Sequence, residues 1–574
     1  MVTTSGATPH ARKQLLSFAF VVSTACAHGD EGPLKTVRFD NADVVWQVDD
    51  RQPVETRPSK NEFYRNYFFF QELLVRPTDR ALSAKRFSRA RNVNALGEVP
   101  DSTWFTNRIG RRSLTPEQIR RGPPGDGPPE PDGPLWVHEA EWDPQPPRLL
   151  VEDPRGHRYV LKFDQATIPE NESAADVIVQ RLLWACGFNV PEDDIVYFSR
   201  EALVLAEDAV RARELGDDVP LDTGKLDEAL KRVARTADGR FRGLFSKYLP
   251  GEPLGGYAVR GTREGDPNDI VPHEYRRELR GQHVFFAWVE HTDVKPDNWL
   301  DIWVEDPPGS DRHHVEHYLL DFGKALGNLA WIDRYPEDGF AHLFDFGYAV
   351  PSLFSLGLYN RPWDAYRVPD LRGVGRFGIS AFNPASWKPY YPFLPFKVRD
   401  ALDDYWAAKI VMRFSRAHVK AAVDAGQLSA AESRKYLVDT LVRRQRMIGR
   451  WAFSRVPPFE RFEFRSTKDE TRLCFFNLWE RYGFDTDTET VLRPTRATIH
   501  DEQGQLIGVR ALSRAGPSRW CTDRWPKSWS SRGYTIVVLD AVHGGSPLPP
   551  IHVHGARAPA SDRLRVIGLY RLRP

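Results

Sequence analysis

The sequence predicts a mixed α+β chain in which a β-rich lobe precedes a helical lobe and a separate all-β domain follows. Residues 135–163 alternate apolar and polar side chains around the turn-forming stretch 153–157, which is typical of antiparallel strands. Residues 398–453 have helical periodicity, and alternation returns after Pro457. These three patterns set the order of the predicted units.

Length and composition narrow the class of protein. The chain has 574 residues, and at roughly 150 residues per domain this suggests about three or four units. Hydrophobic residues make up 41%, which is enough for well-packed cores. The formal net charge of +1 gives no reason to expect a nucleic-acid partner.

The composition also suggests where the units begin and end. A helix is predicted over residues 61–75, and Pro77 stops it. The stretch 122–134 is rich in proline and glycine, so it reads as a linker or exposed loop. The predicted units are a signal segment at 1–26, an N-terminal flanking segment with linker at 27–133, a central domain at 134–455 and a small β domain at 456–574.

The N-terminus reads as a targeting segment. Arg12 and Lys13 precede an apolar run at 15–25 that is too short to span a bilayer, and small residues lead to Cys26. This resembles a bacterial lipoprotein signal, which implies a cell-envelope protein that contacts the membrane only through a lipid on Cys26. The alternatives are an ordinary cleaved signal, or an unstructured start on a cytoplasmic protein.

The four cysteines lie far apart in the sequence. None of them has the spacing of a zinc site, and their spacing does not indicate a disulfide framework. They are Cys26, Cys186, Cys474 and Cys521.

A group of polar residues between 291 and 323 has the chemistry that phosphoryl transfer requires. Such a reaction needs carboxylate and amide oxygens for Mg²⁺, a lysine on the phosphates, and a carboxylate near the attacking hydroxyl. The stretch 291–298 reads HTDVKPDN, and a predicted β-hairpin at 299–320 leads to Asp-Phe-Gly at 321–323. The hairpin should bring Asn298 close to Asp321.

An upstream lysine and carboxylate supply an independent check. Lys162 lies on a predicted strand directly after the hairpin turn, and Glu172 begins the next predicted helix. A strand lysine paired with a helix carboxylate is what a kinase needs to hold nucleotide phosphates.

In this order the residues resemble the protein-kinase-like superfamily, over roughly 135–453. The helix that begins with Asn171 and Glu172 and is followed by Gly187, Val190 and Pro191 resembles that of the HipA-like toxin kinases. The chain is therefore more similar to the atypical bacterial branches, the HipA-like and CotH-like kinases, than to ordinary signalling kinases. The resemblance implies a bilobal fold, with an N-lobe at about 134–255 and a C-lobe at about 256–455. It implies ATP and Mg²⁺ as cofactors. The implied roles are a catalytic base at Asp293, phosphate contacts from Lys295 and Lys162, a carboxylate partner for Lys162 at Glu172, metal ligands at Asn298 and Asp321, and an adenine-binding hinge at Tyr248 and Leu249.

Three departures from the kinase pattern are present. Thr292 stands where kinases usually have an arginine that receives an activation-loop phosphate, so this type of switching is not favoured. No Ala-Pro-Glu motif follows the Asp-Phe-Gly, so a protein substrate is not favoured. No glycine-rich loop precedes Lys162, so residues 142–148 would have to cover the phosphates.

The resemblance implies an exported phosphotransferase whose acceptor is a protein or a small molecule. Two alternatives stay open. One is a nucleotide-binding or inert pseudokinase scaffold in the envelope. The other is a sugar or small-molecule kinase, or an AMP-transferring enzyme, on the same fold.

Overall fold

The described residues form a mixed α+β structure with several separate sheets, which confirms the predicted fold class at that level. The predicted signal segment 1–26 lies outside these residues. Part of the predicted helix 61–75 also lies outside them, and in its described part Gln71–Val75 is helical. The computed structural model describes residues 33–62, 68, 70–76, 78, 88–142, 146–213, 217–328, 336–356, 358–485, 491–530, 533–558 and 563–574.

The first sheet has seven strands and contains the stretch 135–163 that the sequence predicts to be β. The turn at 153–157 forms because the Asp153 carboxylate accepts hydrogen bonds from the backbone N–H groups of Arg155 and His157. The sheet order is β4-β7-β3-β2-β1-β5-β6. Its strands are β1 Leu135–Glu141, β2 Arg148–Glu152, β3 Arg158–Phe163, β4 Asp193–Phe198, β5 Leu203–Arg211, β6 Val219–Pro220 and β7 Phe241–Lys247.

A buried helix lies against this sheet and ends in a close approach. Helix α2, Asn171–Cys186, follows the short helix α1, Pro116–Arg121, in the chain and packs against β4 and β3. It stops at Gly187, whose φ is 143°, and a Cβ there would lie 2.4 Å from the Phe105 ring. Only glycine fits this position, because φ is positive and the ring leaves no space.

The helical region is built around one fully buried helix, α4. Helices α7, Ala401–Val411, and α9, Ala431–Phe453, pack on it. The Trp288 indole N–H donates to the Leu441 carbonyl at 2.9 Å. The helices from α3 onwards are α3 Thr223–Leu230, α4 Arg277–Val289, α5 Phe346–Phe354, α6 Leu394–Val398, α7 Ala401–Val411, α8 Arg416–Ala425, α9 Ala431–Phe453 and α10 Leu478–Arg481.

The hairpin predicted at 299–320 is present. Strands β9, Trp299–Glu305, and β10, His313–Leu319, pair in antiparallel register, and β8, Glu252–Pro253, adds a short third strand. The hairpin follows directly on the 3₁₀ turn Pro296–Asn298. It therefore returns the chain from residue 298 to residue 320.

The C-terminal region consists of two five-stranded sheets. Cys474 and Cys521 lie opposite each other on paired strands and form a disulfide, which the sequence spacing does not indicate. The strands are β11 Phe459–Ser466, β12 Glu470–Asn477, β13 Leu492–His500, β14 Leu506–Arg510, β15 Leu512–Gly516, β16 Arg519–Thr522, β17 Trp525–Pro526, β18 Tyr534–His543, β19 Ser546–Arg557 and β20 Leu564–Arg571.

The N-terminal segment, residues 33–62, crosses the molecule. The backbone N–H of Leu34 donates to Gly504 in the C-terminal region, and that of Asn61 donates to Leu254 next to β8. Between them, the N–H of Val54 donates to His313 on the β10 hairpin strand. The segment therefore links the C-terminal sheets to the edge of the helical region.

Three hydrophobic clusters of described residues hold these layers together. One lies within the first sheet, and a small one joins helix α2 to β4 and β7 through Val177, Ile195 and Leu244. The third runs from the helical region into the C-terminal sheets, where Phe453 and Phe459 belong to it together. The predicted boundary at 455–456 falls between those two residues. Within the described part of the chain, no helix combines the length and the apolar character that crossing a membrane requires.

Candidate functional site

Lys162 lies at the centre of the site. Its ammonium group is 2.9 Å from Asp321 Oδ1 and 3.4 Å from Asp176 Oδ2. Strand β3 positions it, because the apolar side chains of Leu161 and Phe163 enter the core and leave Lys162 on the other face. Burial disfavours the ammonium ion, but the two carboxylates outweigh this effect and raise the pKa of Lys162.

The carboxylate that pairs with Lys162 from helix α2 is Asp176. The sequence predicts Glu172 in this role, and Glu172 and Asp176 lie one helical turn apart on the same face. Glu172 is close enough to Lys162 to interact electrostatically, but no ion pair joins them in the described structure. Burial raises the pKa of Glu172 to about 8, against the opposing effect of Lys162.

Glu172 instead lies against the chain at Gly323. A Cβ added at Gly323 would be 2.5 Å from Glu172 Cγ, so this side chain requires glycine as its neighbour. Packing against helix α2, which carries Glu172 and Asp176, therefore explains why the last residue of the Asp-Phe-Gly stretch is glycine.

Asp293 lies beside two lysines. Its Oδ2 is 3.0 Å from Lys324 Nζ and 3.3 Å from Lys295 Nζ, and its side chain is buried. Burial opposes ionisation of this carboxylate, but Lys324 and Lys295 outweigh it and lower the pKa of Asp293. Asp293 is therefore held as a carboxylate next to two cations. No sequence pattern predicts a role for Lys324.

Asn298 is tied to both halves of the site. Its side-chain Nδ2 donates to the backbone carbonyl of Asp293 at 2.6 Å, and its backbone carbonyl accepts from the Leu320 N–H at 2.9 Å. The β9–β10 hairpin thus returns the chain beside Asn298 one residue before Asp321, as the sequence predicts. Since the amide nitrogen of Asn298 is used, its side-chain oxygen is the atom left for a ligand.

Asp321 has an unusual backbone conformation and the most accessible carboxylate of the site. Its φ is 60°, a left-handed conformation that non-glycine residues rarely adopt outside functional sites and turns. Its side chain is 38% exposed, compared with 4% for Asp293 and 3% for Asp176. Burial opposes ionisation, but Lys162 outweighs it and lowers the pKa of Asp321.

The next residue locks this turn in place. The Phe322 N–H donates to Asp176 Oδ1 at 3.2 Å, and the Phe322 ring packs edge-on against His291, with 5.7 Å between the ring centroids. Burial lowers the pKa of His291 to about 4, so its imidazole is neutral at physiological pH. Asp176 therefore supports both Lys162 and the backbone next to Asp321.

A further cation lies at the entrance of the site. Arg148, at the start of β2, interacts electrostatically with Asp321 and hydrogen-bonds to Glu141 across the β1–β2 connection. Residues 143–145 of that connection lie outside the described residues. The sequence predicts that the whole connection covers phosphates, but no pattern in it singles out Arg148.

The predicted hinge residues lie apart from this group. Tyr248 and Leu249 line a cavity of about 490 Å³ whose lining does not include Lys162 or Asp321. The Tyr248 N–H donates to the Arg158 carbonyl at 2.9 Å, so it extends the sheet and is not free for a nucleotide. Of the eight predicted site residues, these two are the ones that the structure does not bring to the charged side chains around Lys162, Asp293 and Asp321, the Lys162 group.

The side chains present suit a hard divalent cation and an anionic ligand. Asn298 and Asp321 supply the amide and carboxylate oxygens that Mg²⁺ prefers. Among the described residues, no three His, Cys, Asp or Glu side chains form a metal-binding group, so the remaining ligands of such an ion would be water or phosphate oxygens. Lys162, Lys295 and Lys324 could then neutralise phosphate oxygens.

Two comparisons with known proteins gave no match. No protein-family model matches the chain. No curated protein is similar to it at a significant level.

Proposed function

We propose that the chain is an ATP- and Mg²⁺-dependent phosphotransferase of the protein-kinase-like superfamily that acts in the cell envelope. The observation that carries this proposal is the arrangement around Lys162. Carboxylates from helix α2 and residue 321 pair with this strand lysine, and the lysines around Asp293 also interact with Asp321.

The order of elements supports a kinase-like fold. The lysine lies on the third strand of the first sheet, the next helix carries its carboxylate partner, and the loop with Asp293 and Asn298 follows after that sheet is complete. Protein kinases place these parts in the same order. A bilobal arrangement, with the first sheet as one lobe and the helical region as the other, is part of the proposal.

Each side chain has a proposed task in phosphoryl transfer. Lys162 would hold the nucleotide phosphates, and Lys295 would contact the transferred group. Asp293 would orient the attacking hydroxyl and accept its proton. Asn298 and Asp321 would hold Mg²⁺, which neutralises phosphate charge when bound.

The disulfide supports export. Cys474–Cys521 joins two paired strands, and such bonds persist mainly in oxidising compartments. It agrees with the predicted signal segment. Expression of the whole chain in a bacterial host, followed by membrane fractionation with and without a Cys26→Ser change, tests the anchor. A soluble fraction that is the same for both chains would remove it from the proposal.

Transfer of labelled γ-phosphate tests the catalytic part. The full chain is incubated with Mg²⁺ and γ-labelled ATP, and label is followed on the chain, on added acceptors and as free phosphate. We expect turnover that Asp293→Ala and Asp321→Ala both abolish while circular dichroism shows intact folding. Turnover unchanged in both variants would reject the assignment of these residues.

A pseudokinase scaffold is the second candidate, and one observation favours it. Asp293 is buried and held by two lysines at 3.0 and 3.3 Å, so it is not free to accept a proton in this structure. ATP that stabilises the chain against heat, and that is not turned over, would support the scaffold. In that case Lys162→Ala should still abolish the stabilisation.

A further inference from the structure

A second cavity lies between the helical region and the C-terminal sheets. Its volume is about 570 Å³, within the range of small-molecule sites in proteins. Helix α7 forms one wall, strands β11, β12 and β20 form another, and the N-terminal segment closes an edge through Trp46. This arginine cavity, named for the residues described next, lies outside the Lys162 group.

Part of the positive charge around the arginine cavity is neutralised within the chain. Each of these cations lies near a carboxylate that belongs to the chain itself. They are Arg111 with Asp101, Lys409 with Glu98 and Glu460, and Arg565 with Asp43.

Three further arginines on the lining have no such partner among the residues that the structure describes. In the described part of the chain, no carboxylate forms an ion pair with Arg413, Arg461 or Arg481. Arg413 uses its Nε to donate to the Ile109 carbonyl at 3.2 Å, and Arg481 lies 5.8 Å from the centre of the Phe476 ring. Guanidinium groups that lack a protein carboxylate are suited to bind carboxylate, sulfate or phosphate groups, often through two parallel hydrogen bonds.

The three guanidinium groups act on the same side chain. Tyr482 lines the cavity, and burial raises the pKa of its phenol. Arg413, Arg481 and Arg461 each oppose that rise. All three cations and the phenol line the same cavity, so an anion bound beside Tyr482 would lie within the electrostatic range of these cations.

The remaining lining adds ring faces and one unsatisfied acceptor. Half-buried aromatic rings from Trp46, Phe462 and Phe476 face the cavity. Asn107 also lines it, is 2% exposed, and has a buried Oδ1 without a hydrogen-bond partner. A buried acceptor left unpaired is unfavourable, so a hydrogen-bond donor from a ligand would offset this cost.

We propose that the arginine cavity binds an acidic saccharide. The anionic group of the sugar contacts Arg413, Arg461 and Arg481, the C–H face of its ring packs on the aromatic side chains, and one hydroxyl donates to Asn107. Neither a purely apolar ligand nor a bare ion would use all three features. This inference does not depend on phosphoryl transfer at Lys162.

Calorimetric titration of the full chain with three probes tests the proposal. The probes are trigalacturonic acid, uncharged galactotriose and inorganic phosphate. We expect saturable binding of trigalacturonic acid that is at least about tenfold tighter than binding of either other probe, since hydrogen bonds to charged groups are stronger than those between neutral groups.

Matched variants locate the binding. Arg461→Gln and Arg481→Gln should each weaken binding of trigalacturonic acid about tenfold. Arg465→Gln is the control, because Arg465 lies on the same strand as Arg461 but pairs with Glu463 at 2.9 Å. Thermal unfolding confirms that each variant is folded.

Several results would overturn the proposal. They are the absence of saturable binding by trigalacturonic acid at millimolar concentration, equal binding of galactotriose, equal binding of phosphate, and weakening by Arg465→Gln that matches the two cavity variants.

Discussion

The Lys162 group and the arginine cavity both collect charged side chains from distant parts of the chain, but they neutralise charge differently. Around Lys162 each cation lies within 3.4 Å of a carboxylate: Lys162 with Asp176 and Asp321, and Lys295 and Lys324 with Asp293. In the arginine cavity, three arginines lack a carboxylate among the described residues. The first site carries its own counter-charges, whereas the second would receive them from the proposed ligand.

The difference predicts opposite responses to mutation. Removing a carboxylate from the Lys162 group leaves a partly buried cation without its partner, which is costly. Removing an arginine from the cavity relieves repulsion and should cost function more than stability.

The largest expected effect is on catalysis. Asp321→Ala should lower phosphate transfer by at least about 100-fold, because the accessible carboxylate of the site is lost. Initial rates of γ-phosphate transfer measure this. Asp311→Ala, an exposed aspartate at the tip of the β9–β10 hairpin, is the control and should leave the rate unchanged. Similar rates for both variants would mean that the Lys162 group is not catalytic.

The next effect is on stability. Asp176→Asn should lower the free energy of unfolding by about 3 kcal/mol, because it removes a buried partner of Lys162. Urea unfolding measures this. Asp227→Asn breaks the more exposed pair with Arg200 and should cost less than about 1 kcal/mol. Equal losses in the two variants would contradict the importance of burial around Lys162.

The pH dependence of stability should show the buried Glu172. Its pKa in the folded protein is about 8, above the ordinary value of 4.5, so the folded state keeps a proton that the unfolded state releases. The contribution is present below pH 4.5 and is lost as the pH rises towards 8. Glu172→Gln should therefore flatten the fall in stability across that window, measured by urea unfolding at several pH values. An unchanged slope would place the pKa of Glu172 near its ordinary value.

The smallest expected effect belongs to the arginine cavity. Arg461→Gln should leave stability unchanged or raise it by less than about 1 kcal/mol, and any gain should shrink as salt screens the repulsion. Melting temperatures at low and high salt test this. Arg519→Gln, which breaks a pair with Glu463 at 2.9 Å, should instead lose stability. A large loss from Arg461→Gln would indicate a structural role for this side chain.

Local patterns predicted the parts of the site that depend on neighbouring residues in the sequence. The β2–β3 turn, the strand with Lys162, the hairpin that brings Leu320 to Asn298, and the start of helix α2 all follow from alternation, turn residues and helix signals. The order of these elements was sufficient to place six of the eight predicted residues in one group.

The rest depends on contacts that no local pattern encodes. Asp176 lies within an apolar helical stretch and differs from Glu172 by one turn, so only the packed structure shows which of them reaches Lys162. Cys474 and Cys521 are 47 residues apart, and their pairing requires the register of β12 with β16. The arginine cavity combines three separate regions and has no sequence motif.

The contact between Leu34 and Gly504 sets a limit on orientation at a bilayer. If Cys26 carries a lipid, eight residues join the anchor to this hydrogen bond, and a fully extended chain covers about 3.5 Å per residue. The β13–β14 edge would then lie within about 30 Å of the lipid headgroups. An acceptor or saccharide attached to the same membrane would then have to reach the protein within a limited distance of the bilayer.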